Sequence, residues 1–208
     1  VREDKWLLSA FLVLAILAVA VLIRLESRRL TAKELALYAT MAALAAAARL
    51  PFTALVSVQP TTFLVLLSGY VFGSFGGFMA GMGAAFLSNF FAGHGPWTPW
   101  QMLVWGLTGI CGGWLGRRTR GSWQPLLFTL TCFAWGLLFG WLMNIWHFMI
   151  FVYPRTWETL LAVYAASLAF DLLHALGNIA FSVALGPSFY LIMRRFGRRL
   201  YTDLQSTV

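Results

Sequence analysis

Asn89-Phe-Phe-Ala-Gly-His-Gly-Pro-Trp-Thr-Pro-Trp-Gln101 separates two apolar runs with four aromatic rings, two prolines and two glycines. Pro96 and Pro99 each remove a backbone donor and fix φ, while Gly93 and Gly95 permit turns that residues with a Cβ resist. The stretch therefore reads as a stiff, non-helical cap joining two helices. Its indoles have two readings. Trp97 and Trp100 are interfacial anchors, because indole settles at the level of the lipid headgroups; or, with His94 and the flanking Asn89 and Gln101, they form the aromatic and polar lining of a small-molecule site. The loop alone does not choose between them.

The runs on either side of this cap decide the class. Sixty per cent of the 208 residues are hydrophobic and 11% are charged, whereas about a quarter of a soluble domain is charged. The chain is an all-α integral membrane protein. A bilayer core of about 30 Å needs about 20 apolar residues of helix. Seven segments meet or approach that length: Trp6 to Ile23, Leu35 to Arg49, Thr61 to Phe75, Gly77 to Phe91, Gln101 to Leu115, Pro125 to Phe151 and Thr159 to Met193. The first is followed by Arg24, Arg28, Arg29 and Lys33 instead of a small-residue cleavage site, so it reads as a retained span.

A net charge of +8 would suggest nucleic acid in a soluble chain. Here the arginines sit in short segments between apolar runs, which reads as topology, and no nucleic-acid partner is expected. With the linker before Lys33 on the cytoplasmic side, eleven of the fifteen basic residues lie inside and Arg2, Lys5, Arg49 and Arg155 outside. The amino terminus is then exterior and the carboxyl terminus cytoplasmic. The cap at Gly93 to Pro99, the Pro51 to Gln59 segment and the Tyr153 to Glu158 segment face outward together.

Ala39, Ala43 and Ala47 recur every four residues, with Ala32, Ala36, Ala42 and Ala46 beside them. Small residues let helices approach closely, so this flank is either a tightly packed internal face or a surface for a partner helix. Gly69, Gly73, Gly77 and Gly81 cross the expected turn near Phe75 and read partly as hinge. Gly186-Pro187 is expected to kink the last segment.

Ionisable groups inside spans usually face the bundle interior or a watery cavity. Asp171, His174 and Asn178 share one helix face, where Asp171 and His174 are placed to pair directly; a structural lock and a ligand site are equally good readings. Asn144 and His147 form a similar pair near the outer end of the sixth span. Arg49 ends the second span and Gln59 opens the third, where an outward arginine either meets a carboxylate or phosphate or extends to the headgroups. No helical metal pair, Walker motif, arginine ladder or filter-like loop is present, and Cys111 and Cys132 have no metal-ligand spacing. No catalytic residue, metal or cofactor is expected. A membrane enzyme acting on lipid, with Asp171 and His174 as acid and base, and a purely structural scaffold remain as alternatives.

Several strings together resemble a known family. The alanine ladder, Gln59-Pro-Thr-Thr, the Gly-Tyr-Val-Phe-Gly hairpin at 69 to 73, Ser88-Asn-Phe-Phe, Gly95-Pro-Trp-Thr-Pro-Trp-Gln-Met102 and Phe170-Asp-Leu-Leu-His-Ala-Leu-Gly-Asn178 resemble the substrate-binding S component of an energy-coupling factor (ECF) vitamin transporter, an ABC-type importer. Among its branches they are most similar to the cobalamin type. The resemblance covers about Glu34 to Arg199. It implies a six-helix bundle over residues 31–208, to which residues 1–30 add one further transmembrane helix and a basic linker. It also implies a multi-pass protein of the bacterial plasma membrane that captures a vitamin from outside. Cobalamin or a related corrinoid is the expected ligand; a flavin or the pyrimidine precursor of thiamine is the alternative. Delivery would follow by toppling in the lipid onto a transmembrane coupling protein with two ATPase subunits, docking through Ala39, Ala43 and Ala47. The substrate site implied comprises Asn89, His94, Trp97, Trp100, Gln101, Asn144, His147, Asp171 and His174, to which the placement of Arg49 and Gln59 at span ends adds those two residues.

Overall fold

The computed structural model describes residues 30–205, with side chains to Arg198, and scattered positions between Leu8 and Ile23. The expected first span and its basic linker fall largely outside the described residues; Leu8, Leu12, Val13, Ala15, Ile16, Val19 and Ile23, which are described, are helical. Five helices follow: α1 (Ala32–Arg49), α2 (Thr61–Ala92), α3 (Thr98–Arg118), α4 (Pro125–Phe151) and α5 (Trp157–Gln205). The protein is all-α. Among the described residues four stretches are long and apolar enough to cross a membrane, Ala32–Phe52, Thr61–Ala92, Pro125–Phe151 and Trp157–Arg198. α3 has sufficient length, but five glycines and the closing Arg117 and Arg118 replace aliphatic residues there.

α1 begins earlier than its apolar pattern because Thr31 and Glu34 form a capping box. The Thr31 hydroxyl accepts from the Glu34 amide at 3.2 Å, and the Glu34 carboxylate accepts from the Thr31 amide at 3.0 Å. A single turn of 3-10 helix, Leu50–Phe52, follows α1.

The two spans expected at Thr61 to Phe75 and Gly77 to Phe91 are the arms of α2, and the break between them is at Gly73 rather than at Phe75. Gly73 has φ 87° and ψ 169°, a conformation that residues with a Cβ resist. The chain folds back there: a Cβ on Gly77 would lie 2.5 Å from Gly69 Cα, although eight positions separate the two. The glycine series is therefore hinge at Gly73 and interface on either side. A Cβ at Gly109 of α3 would stand 2.0 Å from the Gly77 carbonyl oxygen, and one at Gly69 would stand 2.0 Å from the Gly109 carbonyl oxygen. Both arms of α2 thus pack backbone to backbone against α3, which only small residues allow. The first arm is completely enclosed, with every residue from Thr61 to Tyr70 buried.

The cap is shorter than the proline and glycine pattern implied. Only residues 93–97 leave the helices: Asn89 lies in the last turn of α2 and Gln101 in the first turn of α3. Pro99 does not prevent this, because the first turn of a helix has no internal use for its amide. α5 carries Pro187, where a kink was expected, within one continuous helix.

The alanine ladder of α1 divides into two faces. Ala42, Ala45 and Ala46 are buried, with the Ala42 methyl against Gly83 of α2, whereas Ala39, Ala43 and Ala47 are exposed. At the end of the bundle where Gly73 turns, the loop joining α3 and α4 is pinned by two tyrosines. The Tyr70 hydroxyl donates to the Ser122 carbonyl and the Tyr190 hydroxyl to that of Gly121, with Trp123 stacked on Tyr190. Arg49 and residues 93–97 mark the opposite, cap end.

Candidate ligand-binding site

The first arm of α2, twelve residues from Thr61 to Phe72, is only about 18 Å long. The linker between α1 and α2 therefore descends into the cap end of the bundle to meet it. Its Ser57 carbonyl lies 2.8 Å from His174 Nδ1, although His174 is more than four turns along α5 from Trp157. Ser57 adopts φ 58°, a left-handed conformation that costs a non-glycine residue about 1–2 kcal/mol. Such strain persists where surrounding contacts fix it, often at ligand sites. The linker borders a cavity of about 570 Å³, lined by Arg49, Phe52, Ser57, Gln59 and Phe91 among others.

Arg49 organises this region. Its Nε donates to Gln59 Oε1 at 2.8 Å, and its Nη1 donates to Ser88 Oγ at 2.8 Å and to Asn89 Oδ1 at 3.0 Å. Its guanidinium lies 5.2 Å from the centroid of the Trp105 ring, close enough for a cation–π attraction. Nη2 is not among the donors these partners use, so a cation at the cavity wall keeps donors for a ligand. Asn89 extends the network by donating to Thr98 Oγ1 at 3.0 Å and to Gln101 Oε1 at 2.8 Å. One fork-shaped cation thus ties α1, the linker and the cap end of α2 together, and Asn89 carries the connection into α3.

A second chain runs inward beneath the arginine. Trp105 Nε1 donates to Thr62 Oγ1 at 3.0 Å, and that hydroxyl lies 2.9 Å from His174 Nε2. With Nδ1–H directed at the Ser57 carbonyl, Nε2 accepts from Thr62, and all four groups are satisfied. All three side chains are buried, where an unmatched polar group costs about 1–3 kcal/mol. Asn178 follows on the same face; its amide donates to the His174 carbonyl at 2.9 Å, while its buried Oδ1 has no partner among the described residues.

Asp171 and His174 share an inward face but do not pair. Asp171 Oδ2 accepts from Ser167 Oγ at 2.9 Å, and Asn144 Nδ2 donates to the same Ser167 oxygen at 2.6 Å. The reason is spatial: Asp171 faces α4, where Gly140 leaves room for its carboxylate, whereas His174 faces the linker and α2. Other expected site residues are dispersed. The Trp100 indole donates to the Leu142 carbonyl of α4 at 2.9 Å, and the Trp97 ring folds over Gly95. His94 is exposed, its ring 4.7 Å from that of Phe90 and its Nδ1 3.4 Å from the Thr98 hydroxyl at the edge of the Asn89 network, and His147 is exposed against Phe151. Of the eleven residues expected at a substrate site, Arg49 and Gln59 line the cavity, Asn89 and Gln101 join them by hydrogen bonds, and His174 lies behind Trp105. Ser57, Thr62, Ser88, Thr98 and Trp105 were absent from that expectation. Trp105, one helical turn after Gln101, was the most accessible of them to a facing argument.

The geometry suits capture more than chemistry: a cation and amides at a cavity wall, backed by rings and by polar groups that satisfy one another. Among the described residues no group of three His, Cys, Asp or Glu side chains is placed to hold a metal ion. A family model for the ECF-type riboflavin transporter S component matches residues 29–194, nearly the whole described chain. No curated protein and no solved structure matches. The chain belongs to the ECF-type riboflavin transporter S component family, and it is a vitamin-binding membrane subunit that works with an ECF energising module.

Proposed function

We propose that the vitamin is riboflavin or a closely related flavin, bound in the Arg49 cavity from the exterior and released inward when the subunit topples on its energising module. The observation that carries this reading is the match of residues 29–194 to the riboflavin family. The cavity supports it: about 570 Å³ is the range for a ligand of a few fused rings. Phe52 and Phe91 offer apolar faces to a flat tricyclic ring, while Arg49 and Gln59 offer donors to its carbonyl oxygens. In this arrangement Asn89 and Gln101 hold the arginine, and His174 fixes the linker through Ser57. Asp171 and Asn144 join α4 to α5, while His94, Trp97, Trp100 and His147 set the depth of the cap end in the membrane. The exterior placement of that end follows the basic residues at the other one. The exposed Ala39, Ala43 and Ala47 face of α1 is the proposed contact with the transmembrane coupling protein, which carries two ATPase subunits. The subunit itself performs no catalysis.

Cobalamin is the second reading, favoured by the Gly95 to Met102 string. A corrinoid has several times the atoms of a flavin and would need the linker at Pro51 to Gln59 to move aside. Uptake of labelled riboflavin tests the proposal in cells without a flavin importer of their own, expressing the chain with its energising module. Accumulation above that of cells given the module alone is expected. Equal counts would refute it.

A further inference from the structure

The Gly73 end of the bundle carries a second cavity, of about 340 Å³, lined by Leu191, Arg194, Arg195 and Arg198. These positions follow the i, i+3, i+4, i+7 pattern and share one face of α5. Three of the four described lining residues are arginines, which present planar donor forks suited to phosphate oxygens. One of them is held in place: the Arg194 guanidinium lies 5.7 Å from the centroid of the Tyr190 ring. That ring is fixed in turn by the bond from its hydroxyl to Gly121 and by stacking on Trp123. Beside the arginines, Leu191, Ile192 and Phe196 expose large apolar surfaces, with Leu191 and Phe196 each 61% accessible. An anchored cation with a second arginine beside it, next to an apolar helix face that is exposed among the described residues, matches the two halves of a phospholipid.

We propose that this arginine cradle binds the phosphate of an anionic phospholipid, whose acyl chains lie along Leu191 and Ile192. The site is separate from the vitamin cavity. Charge complementarity selects the occupant, because the guanidinium groups of Arg194 and Arg195 favour a headgroup of net negative charge over a zwitterionic one. Each arginine near a membrane surface contributes about fivefold to apparent affinity for anionic lipid.

Native mass spectrometry of the full chain in detergent, with phosphatidylglycerol or phosphatidylcholine added, tests this. Retention of one phosphatidylglycerol in clear preference to phosphatidylcholine is expected, with about a fivefold loss in Arg194→Ala and substantial retention in Arg194→Lys. Arg118→Ala removes one charge at the same end of the bundle and should leave retention unchanged. An equal loss in Arg118→Ala would show diffuse attraction and overturn the cradle. So would displacement of the lipid by millimolar glycerol 3-phosphate, which would assign the site to a soluble phosphate, or equal retention of the two lipids. Unchanged thermal melting of each variant separates lost binding from lost fold.

Discussion

Replacing Arg49 by alanine removes the three hydrogen bonds to Gln59, Ser88 and Asn89 and the contact with Trp105 in one step. Hydrogen bonds to a charged group each contribute about 1.5–3 kcal/mol, and three that share one guanidinium do not add. A net loss of about 3 kcal/mol of folding stability is expected, because Asn89 keeps its bonds to Thr98 and Gln101, Ser88 keeps its bond to the Ala85 carbonyl, and water reaches the cavity. The cost to ligand binding is separate. Losing one charge-assisted bond to a flavin carbonyl and loosening the linker should weaken riboflavin binding by about tenfold to a hundredfold. Arg49→Lys distinguishes charge from shape. Lysine restores the positive charge but has no fork to reach the linker and α2 together, so it should recover part of the melting temperature and little of the affinity. Thermal melting in detergent and calorimetric titration with riboflavin report the two quantities. An Arg49→Ala protein that melts and binds like the wild type would refute the reasoning.

Three other substitutions examine different parts of the account. Gly109→Ala places a Cβ 2.0 Å from the Gly77 carbonyl oxygen, so α2 and α3 must part; overpacking of this kind costs about 1–3 kcal/mol, and a melting temperature equal to wild type would contradict the seam. Thr62→Val deprives both Trp105 and His174 of a buried partner and should destabilise by about 2–4 kcal/mol; Thr62→Ser keeps the hydroxyl and should restore most of the loss in a thermal melt. Ala43→Trp adds bulk to the exposed face of α1, so riboflavin binding by the isolated subunit should persist while uptake with the energising module is abolished. Equal loss of both would count against docking there.

The membrane class and the positions of the helices were legible because they follow from composition and length. Boundaries were less so. α1 begins at Ala32 because Thr31 and Glu34 cap it, and that signal lay just outside the apolar run. The turn in α2 was placed at Phe75 by hydrophobicity, whereas backbone sterics place it at Gly73. Sequence singled out Arg49, Gln59, Asn89 and Gln101 one by one, yet could not show that they meet, since contacts across ten to forty positions depend on how the α2 hairpin closes. Thr62 and Trp105 read as ordinary members of apolar runs for the same reason. Asp171 and His174 were correctly placed on one face, but helix spacing cannot say that Asp171 takes its bond from Ser167 one turn away while His174 finds its partners on α2 and the linker.

Titration of the purified protein with riboflavin, and in parallel with cobalamin, tests the central claim most directly. Saturable one-to-one binding of riboflavin, with no heat from cobalamin, is the predicted result. A folded protein that is silent to riboflavin would contradict it.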